Sequence, residues 1–238
     1  MPSQQMLLGG GGASGIGQDE YTSAGSFTWT CPAGVEKISV VCVGGGAGSN
    51  TPFDGGGGGA LSYVNNISVT AGNDYTVVVG AAGEQGGDSY FVNTSTVGAE
   101  GGQDATGGQV ITGTGGNGGN SSGGGAGAGG YAGNGGNSQQ AGSGGGGGGG
   151  SNPGWANNAG GGGGVGLKGQ GPSGNAGTGN LQQRGNSGSN GEVGGNVGGH
   201  GRYYGGGGGA IFPGAKGGVR IIYPGDERQY PSTRTADE

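Results

Sequence analysis

Val219-Arg220-Ile221-Ile222-Tyr223, closed by Pro224-Gly225, is the stretch on which the reading of the whole chain turns. It has the β-branched and aromatic enrichment of a strand, with a turn signal to end it. It follows 106 residues, 113–218, of which 50 are glycine. A strand needs a partner, and the candidates lie far upstream, in Lys37-Ile38-Ser39-Val40-Val41-Cys42-Val43 and in Tyr75-Thr76-Val77-Val78-Val79. Pairing with either holds both ends of the glycine-rich segment in one place. The segment must then fold back on itself.

Upstream, residues 25–112 read as a small antiparallel β-sandwich. Phe27-Thr28-Trp29-Thr30 alternates, and Pro32-Ala33-Gly34 turns the chain. Residues 37–43 form a strand with both faces partly buried. Residues 60–70 alternate around Leu61, Tyr63, Ile67 and Val69, with a bulge expected at Asn65-Asn66. Gly72-Asn73 is a turn, residues 75–79 are a strong strand, and Ser89-Tyr90-Phe91-Val92 is another. No stretch has amphipathic helical periodicity. The fold class is therefore mainly β plus glycine-rich, with essentially no α-helix. The chain divides into a leader (1–24) with little to pack, the β-sandwich part (25–112), the glycine-rich segment (113–218), a closing strand (219–225) and a polar tail (226–238).

Glycine sets the protein class. It supplies 78 of 238 residues, against a usual frequency of about 7%. Only 28% of residues are hydrophobic and 9% charged, so a large apolar core is out of reach for much of the chain. The eight Lys and Arg are scattered and the formal net charge is −6, which argues against nucleic-acid binding. No apolar run is long enough to cross a membrane as a helix. Residues 1–8 lack a basic start and a long apolar run, so no signal peptide is expected.

Two readings of residues 113–218 compete. One is a disordered linker. The other is a lattice of polyglycine-II-type helices. A helix with three extended residues per turn has no internal hydrogen bonds, and its N–H and C=O groups point outward. Neighbouring helices satisfy them only if backbones approach closely, and a Cβ on an inner position prevents that. A three-residue period is visible in Asn117/Asn120, Asn134/Asn137, Val193/Asn196 and Val197/His200. Ordering a residue costs about 1–2 kcal/mol of backbone entropy and a hydrogen bond returns about 0.5–1.5 kcal/mol net. Such a lattice therefore requires nearly every amide to pair. Passes of roughly ten residues give about eight to ten helices in the segment. The returning strand favours the lattice.

Catalytic chemistry finds little support. His200 is the only histidine, so no pair of histidines can act as acid and base or bind a metal. Gly-x-Gly-x-x-Gly recurs but carries no information at this glycine content, and no Gly-Lys-Ser/Thr completes a phosphate loop. Cys31 and Cys42 are expected to be buried thiols rather than a bridge. No enzyme activity, cofactor or metal site is expected.

Recognition is the better hypothesis. Bulky groups interrupt the glycine in three places: Asn152, Trp155, Asn157 and Asn158 in one loop, Arg184 in a second, and His200, Arg202, Tyr203 and Tyr204 in a third. Trp, Tyr and Arg supply rigid contact area and hydrogen bonds at recognition surfaces. Equally, Trp155, Tyr203 and Tyr204 could cap the lattice. Tyr131, isolated between Gly130 and Ala132, reads as structural.

Phe27-Thr28-Trp29-Thr30-Cys31-Pro32-Ala33-Gly34-Val35, followed by Ile38-Ser39-Val40-Val41-Cys42-Val43-Gly44-Gly45-Gly46, resembles the opening of the glycine-rich domain of phage tail-fibre and virion structural proteins. Ala60-Leu61-Ser62-Tyr63, Gly87-Asp88-Ser89-Tyr90-Phe91 and the ending Gly218-Val219-Arg220-Ile221-Ile222-Tyr223-Pro224-Gly225 extend the likeness, the last being similar to cyanophage fibre proteins. Phage adhesins with stacked polyglycine helices offer a structural analogy. The resemblance implies a virion location with assembly in the host cytoplasm. It also implies other virion tail proteins as partners, a bacterial surface glycan or outer-membrane protein as receptor, and a possible homo-oligomer. A self-assembling extracellular filament or sheath without a receptor role is the alternative. An ice-binding bundle would need a flat, regular Thr or Asn face that the interrupted register does not supply.

Overall fold

The structure, a computed structural model, describes residues 15–49, 54–150, 159–177, 183–191, 200–232 and 235. Ten strands form two antiparallel sheets, with no helix of regular length among the described residues. They are β1 (Gly17–Tyr21), β2 (Gly25–Thr30), β3 (Lys37–Val43), β4 (Leu61–Ser68), β5 (Asp74–Val79), β6 (Ser89–Phe91), β7 (Val97–Ala99), β8 (Val110–Thr112), β9 (Thr114–Gly116) and β10 (Gly218–Tyr223). The first sheet has the order β1-β10-β3-β4-β9 and the second β2-β5-β6-β7-β8.

Local chemistry explains the turns and the register. Val35 N donates to Pro32 O with Gly34 at φ +79°, and Asn73 N donates to Thr70 O with Gly72 at φ +81°. Both turns place glycine where a positive φ is required. The β3–β4 ladder shifts register between Ile38↔Ile67 and Val40↔Val64, so Asn65 and Asn66 together oppose Ser39 and form the expected bulge. Asn66 takes φ 58°, a conformation that asparagine tolerates.

The first sheet is buried on both faces, as the continuous apolar run of β3 requires. Ile38, Val40 and Cys42 of β3, with Val219 and Ile221 of β10, pack on Trp29, Val77, Phe91 and Val97 of the second sheet. The opposite face presents Val41, Val43, Leu61, Tyr63 and Ile222 to Ala128, Tyr131, Val165 and Leu167 of the glycine-rich segment. The closing strand pairs with β3, one of its two expected partners, and on its other side with β1. That second pairing differs from the sequence reading: Gly17–Tyr21, inside the segment taken as a leader, is a strand. Its polar residues find partners on distant elements. Asp19 accepts from Trp29 Nε1 (2.9 Å) and Tyr223 Oη (3.4 Å), and Glu20 lies 3.1 Å from Nε of the fully buried Arg220.

The glycine-rich passes are joined by backbone hydrogen bonds with a period of three. Gly44, Gly45 and Gly46 donate to Ala60, Gly87 and Ala215, on three different passes. Ala47, Gly48 and Ser49 then repeat the same three neighbours, donating to Gly57, Gly83 and Phe212. Around Gly125–Gly130 the pattern holds again: residues 125 and 128 donate to 160 and 163, residues 126 and 129 to 56 and 59, and residues 127 and 130 to 136 and 133. The first two neighbours run parallel to this pass and the third antiparallel. Each pass is thus a three-sided rod whose donors address three neighbours in turn.

This network does not respect the division at residue 113. Passes at 44–49, 55–60, 80–87 and 100–109 belong to the part read as sandwich. They leave β3, β5 and β7 and enter β4, β6 and β8 at one end of the sandwich. Being glycine, they continue into the network instead of closing as ordinary loops. The close approach excludes side chains. A Cβ on Gly57 would fall inside the contact envelope of the Thr106 carbonyl, and one on Gly127 inside that of Gly147.

The first part of the tail packs back on the same sheet. Tyr230 exchanges hydrogen bonds with the Asn65 side chain (2.7 and 3.0 Å), and its ring stacks on Tyr131 at 5.7 Å. Tyr131, fully buried, donates to Gly166 O (3.0 Å) and accepts from Gly169 N (3.2 Å), in keeping with a structural role. Burial holds the phenols of both tyrosines above their ordinary pKa.

Two predictions arise from this packing. Gly57→Ala and Gly127→Ala should each destabilise the protein by about 1–3 kcal/mol, read as a lower midpoint in denaturant titration. Cys31 and Cys42 are free and buried, and burial pushes the Cys42 thiol well above its ordinary pKa. Iodoacetamide should therefore label neither in the native protein and both after unfolding, as read by intact mass.

Candidate recognition surface

Residues 200–216 form a folded projection of three short glycine-containing passes. The chain leaves residue 200, turns after Tyr204, returns through 205–209, and turns again at Ala210-Ile211. Phe212 N donates to Gly209 O, Ala215 N to Gly206 O and Gly205 N to Lys216 O, which ties the second and third passes. Gly201 N donates to Pro213 O, which ties the first to the third. Gly208 N and Gly207 N donate to Ala47 O and Ala126 O, anchoring the middle pass in the network.

Several side chains stand on the outside of this frame. The His200 ring lies 5.2 Å from Phe212, and Lys216 Nζ sits 5.0 Å over the Tyr203 ring. Tyr203 is 43% exposed and Ile211 49%, large values for apolar groups in a chain with so few of them. The Tyr203 and Tyr204 rings lie 6.1 Å apart. These outward groups, the His200–Phe212 pair, the exposed Ile211 and the Tyr203–Lys216 pair, are referred to together as the ridge, and they carry one ammonium group. Beyond it, Ser49 N donates to Phe212 O, and Ser49 lines an open cleft with Gly48, Asp54, Gly55, Glu84, Asp104 and Ala105. The ridge is thus flanked by carboxylates.

The residues proposed from sequence meet different fates here. His200 and Tyr203 are exposed on the ridge. Tyr204 is half-buried and packs on the second core with Val41 and Ile222. Arg202, at 2% exposure, is buried and is not part of the exposed surface. The cause is the threefold frame, which turns neighbouring residues in different directions. Arg184 is half-buried on another pass and is not in the ridge. Asn152, Trp155, Asn157 and Asn158 lie outside the described residues. Sequence reasoning missed Ile211, Phe212 and Lys216. The only signal was an apolar Ile-Phe-Pro triplet interrupting glycine, with no hint that Phe212 lies beside His200 or Lys216 over Tyr203.

The ridge offers contact chemistry. Among the described residues, no group of three or more His, Cys, Asp or Glu side chains could hold a metal ion. No helix there is long and apolar enough to cross a membrane. Aromatic faces and a cation–π pair are the means by which proteins bind sugars, peptides and other surfaces through area and hydrogen bonds. Comparison with curated proteins gives no match. A family described as a glycine-rich domain matches residues 21–224, from the end of β1 to the close of β10, so the match takes in nine of the ten strands and the hydrogen-bonded glycine passes. The chain belongs to this glycine-rich domain family.

Proposed function

We propose that this chain is a structural component of a phage virion, a tail-fibre module that presents side chains to the host surface and carries out no catalysis. In this reading the glycine passes are polyglycine-II-type helices. Their role is to hold display loops rigidly on a small β-sandwich. The observation that carries the proposal is the ridge of His200, Tyr203, Ile211, Phe212 and Lys216, standing on a frame whose backbone is hydrogen-bonded on several sides. The resemblance of residues 27–46 and 218–225 to phage fibre sequences supplies the biological setting. A bacterial surface glycan or outer-membrane protein is the receptor class, and other virion tail proteins are the assembly partners. Rigid aromatic anchors suit such a receptor, because little side-chain entropy is lost on contact.

The proposal has a direct test. Mass spectrometry of purified virions should detect the chain, and its absence would turn the reading to an extracellular filament or sheath. Tyr203→Ala and Lys216→Ala should each slow host adsorption by about tenfold, equivalent to about 1.4 kcal/mol, with circular dichroism unchanged. Trp155→Ala tests the 152–158 stretch in the same assay. Adsorption at the wild-type rate in all three variants would remove the ridge and that stretch from host contact.

A further inference from the structure

Four strands lie at the edges of the two sheets: β1 and β9 in the first, β2 and β8 in the second. A free edge exposes a row of N–H and C=O groups that can pair with another strand, and proteins blunt such edges with short strands or charges. β8 and β9 have three residues each. β1 carries Asp19 and Glu20. β2, Gly25-Ser26-Phe27-Thr28-Trp29-Thr30, has six residues, no charge and no proline.

The ladder shows which groups of β2 are available. Cys31 N donates to Asn73 O at the end of the β2–β5 pairing. Antiparallel bonding alternates, so Trp29 and Phe27 also face β5, and the N–H and C=O groups of Ser26, Thr28 and Thr30 point away from the sheet. Among the described residues no backbone group pairs with them. All three residues are exposed, and the Phe27 ring at this edge is only half-buried, 5.3 Å from Tyr21.

We propose that the β2 edge is a homodimer interface, at which two copies of this chain pair β2 to β2 antiparallel about a twofold axis through Thr28. The sequence is self-complementary in that register. Thr28 opposes Thr28 of the second copy and Ser26 opposes Thr30, exchanging about six backbone hydrogen bonds. On the core side Phe27 opposes Trp29, an aromatic pair at the non-hydrogen-bonded position where side chains approach most closely. On the solvent face hydroxyls meet hydroxyls. An uncharged edge offers no charge pattern with which to select a different strand, and a twofold interface needs only one patch. β1, at the same side of the sandwich, does not oppose this. Its Asp19 accepts from Trp29 and Tyr223 of its own chain, and its Glu20 pairs with Arg220. The two second sheets then join into one continuous ten-stranded sheet.

Sedimentation velocity on the full chain tests the interface, with Thr28→Lys and Thr28→Pro as variants. Lysine places a charge at the axis; proline removes the outward N–H at an edge position where proline is tolerated. The wild type should pass reversibly from monomer to dimer as concentration rises, and its Ser26, Thr28 and Thr30 amides should gain protection from hydrogen exchange over the same range. Both variants should remain monomeric with unchanged thermal melts. Three results would overturn the proposal: a wild type that stays monomeric throughout, a dimer that persists in Thr28→Lys with the same Kd, or amides protected equally at all concentrations. The inference does not depend on the host-attachment reading, because adsorption tests Tyr203 and Lys216 while sedimentation tests Thr28.

Discussion

The approach of one backbone to another without an intervening side chain governs this structure. Over most of the glycine-rich passes the donor on residue i and the donor on residue i+3 reach the same neighbour, while the two residues between serve two other neighbours. Such a rod has no internal hydrogen bonds and depends on its surroundings for every polar group it carries. That dependence explains why glycine appears where a pass is enclosed by other backbones. It also explains how a chain with 28% hydrophobic residues can bury so much of itself. Hydrogen bonding between passes takes over part of the cohesion that apolar contact supplies in ordinary domains.

Apolar contact has not vanished; it is concentrated on the first sheet. That sheet separates two cores, one shared with the second sheet and one shared with the glycine network. Tyr63, Tyr131 and Tyr230 meet on the network side, with ring centroids 5.7–5.9 Å apart. Each comes from a different part of the chain: a strand, a glycine pass and the tail. Arg220 reinforces the same junction. Its Nη1 donates to Leu167 O (3.3 Å), its Nη2 donates to the Gln18 side chain, and its Nε faces Glu20. A buried guanidinium is tolerated only when its donors are used. Here they join the first strand, the last strand and the insert.

Much of the sandwich was legible in sequence because its signals are local. The apolar run of β3, the Asn65-Asn66 bulge, the Pro32–Gly34 and Gly72 turns and the β10 strand itself are set by residue types at short spacing, whereas the choice of β3 over β5 as its partner was left open. β1 was not legible, since Gln18, Asp19 and Glu20 lack β propensity and are satisfied by Arg220, Trp29 and Tyr223 from elsewhere. The backbone bonding between glycine passes also takes in connections upstream of residue 113. Composition marks its densest part, but the inter-strand connections that join it are short and look like loops. The recognition surface was legible only as a set of bulky residues. Whether Arg202 or Tyr203 points outward depends on which neighbouring pass lies beside each, and no local pattern encodes that. The same limit hid Lys216, twelve or more residues from the aromatic ring it covers.

The order of the strands has a consequence for how the molecule comes into being. β10 lies between β1 and β3, pairing Glu20 with Arg220 and Cys42 with Val219. Until a ribosome has released residue 223, the first sheet has a gap between β1 and β3, and β1 has no strand to pair with. The penalty for closing a loop grows only logarithmically with its length. Even so, contacts spanning some two hundred residues slow a folding reaction markedly. The glycine-rich passes bond to one another and to the inter-strand connections rather than to β10, so their pairing does not wait for the final strand. Completion of the sheet is therefore an event that follows synthesis, and truncation anywhere before residue 218 removes the keystone of a structure otherwise fully made.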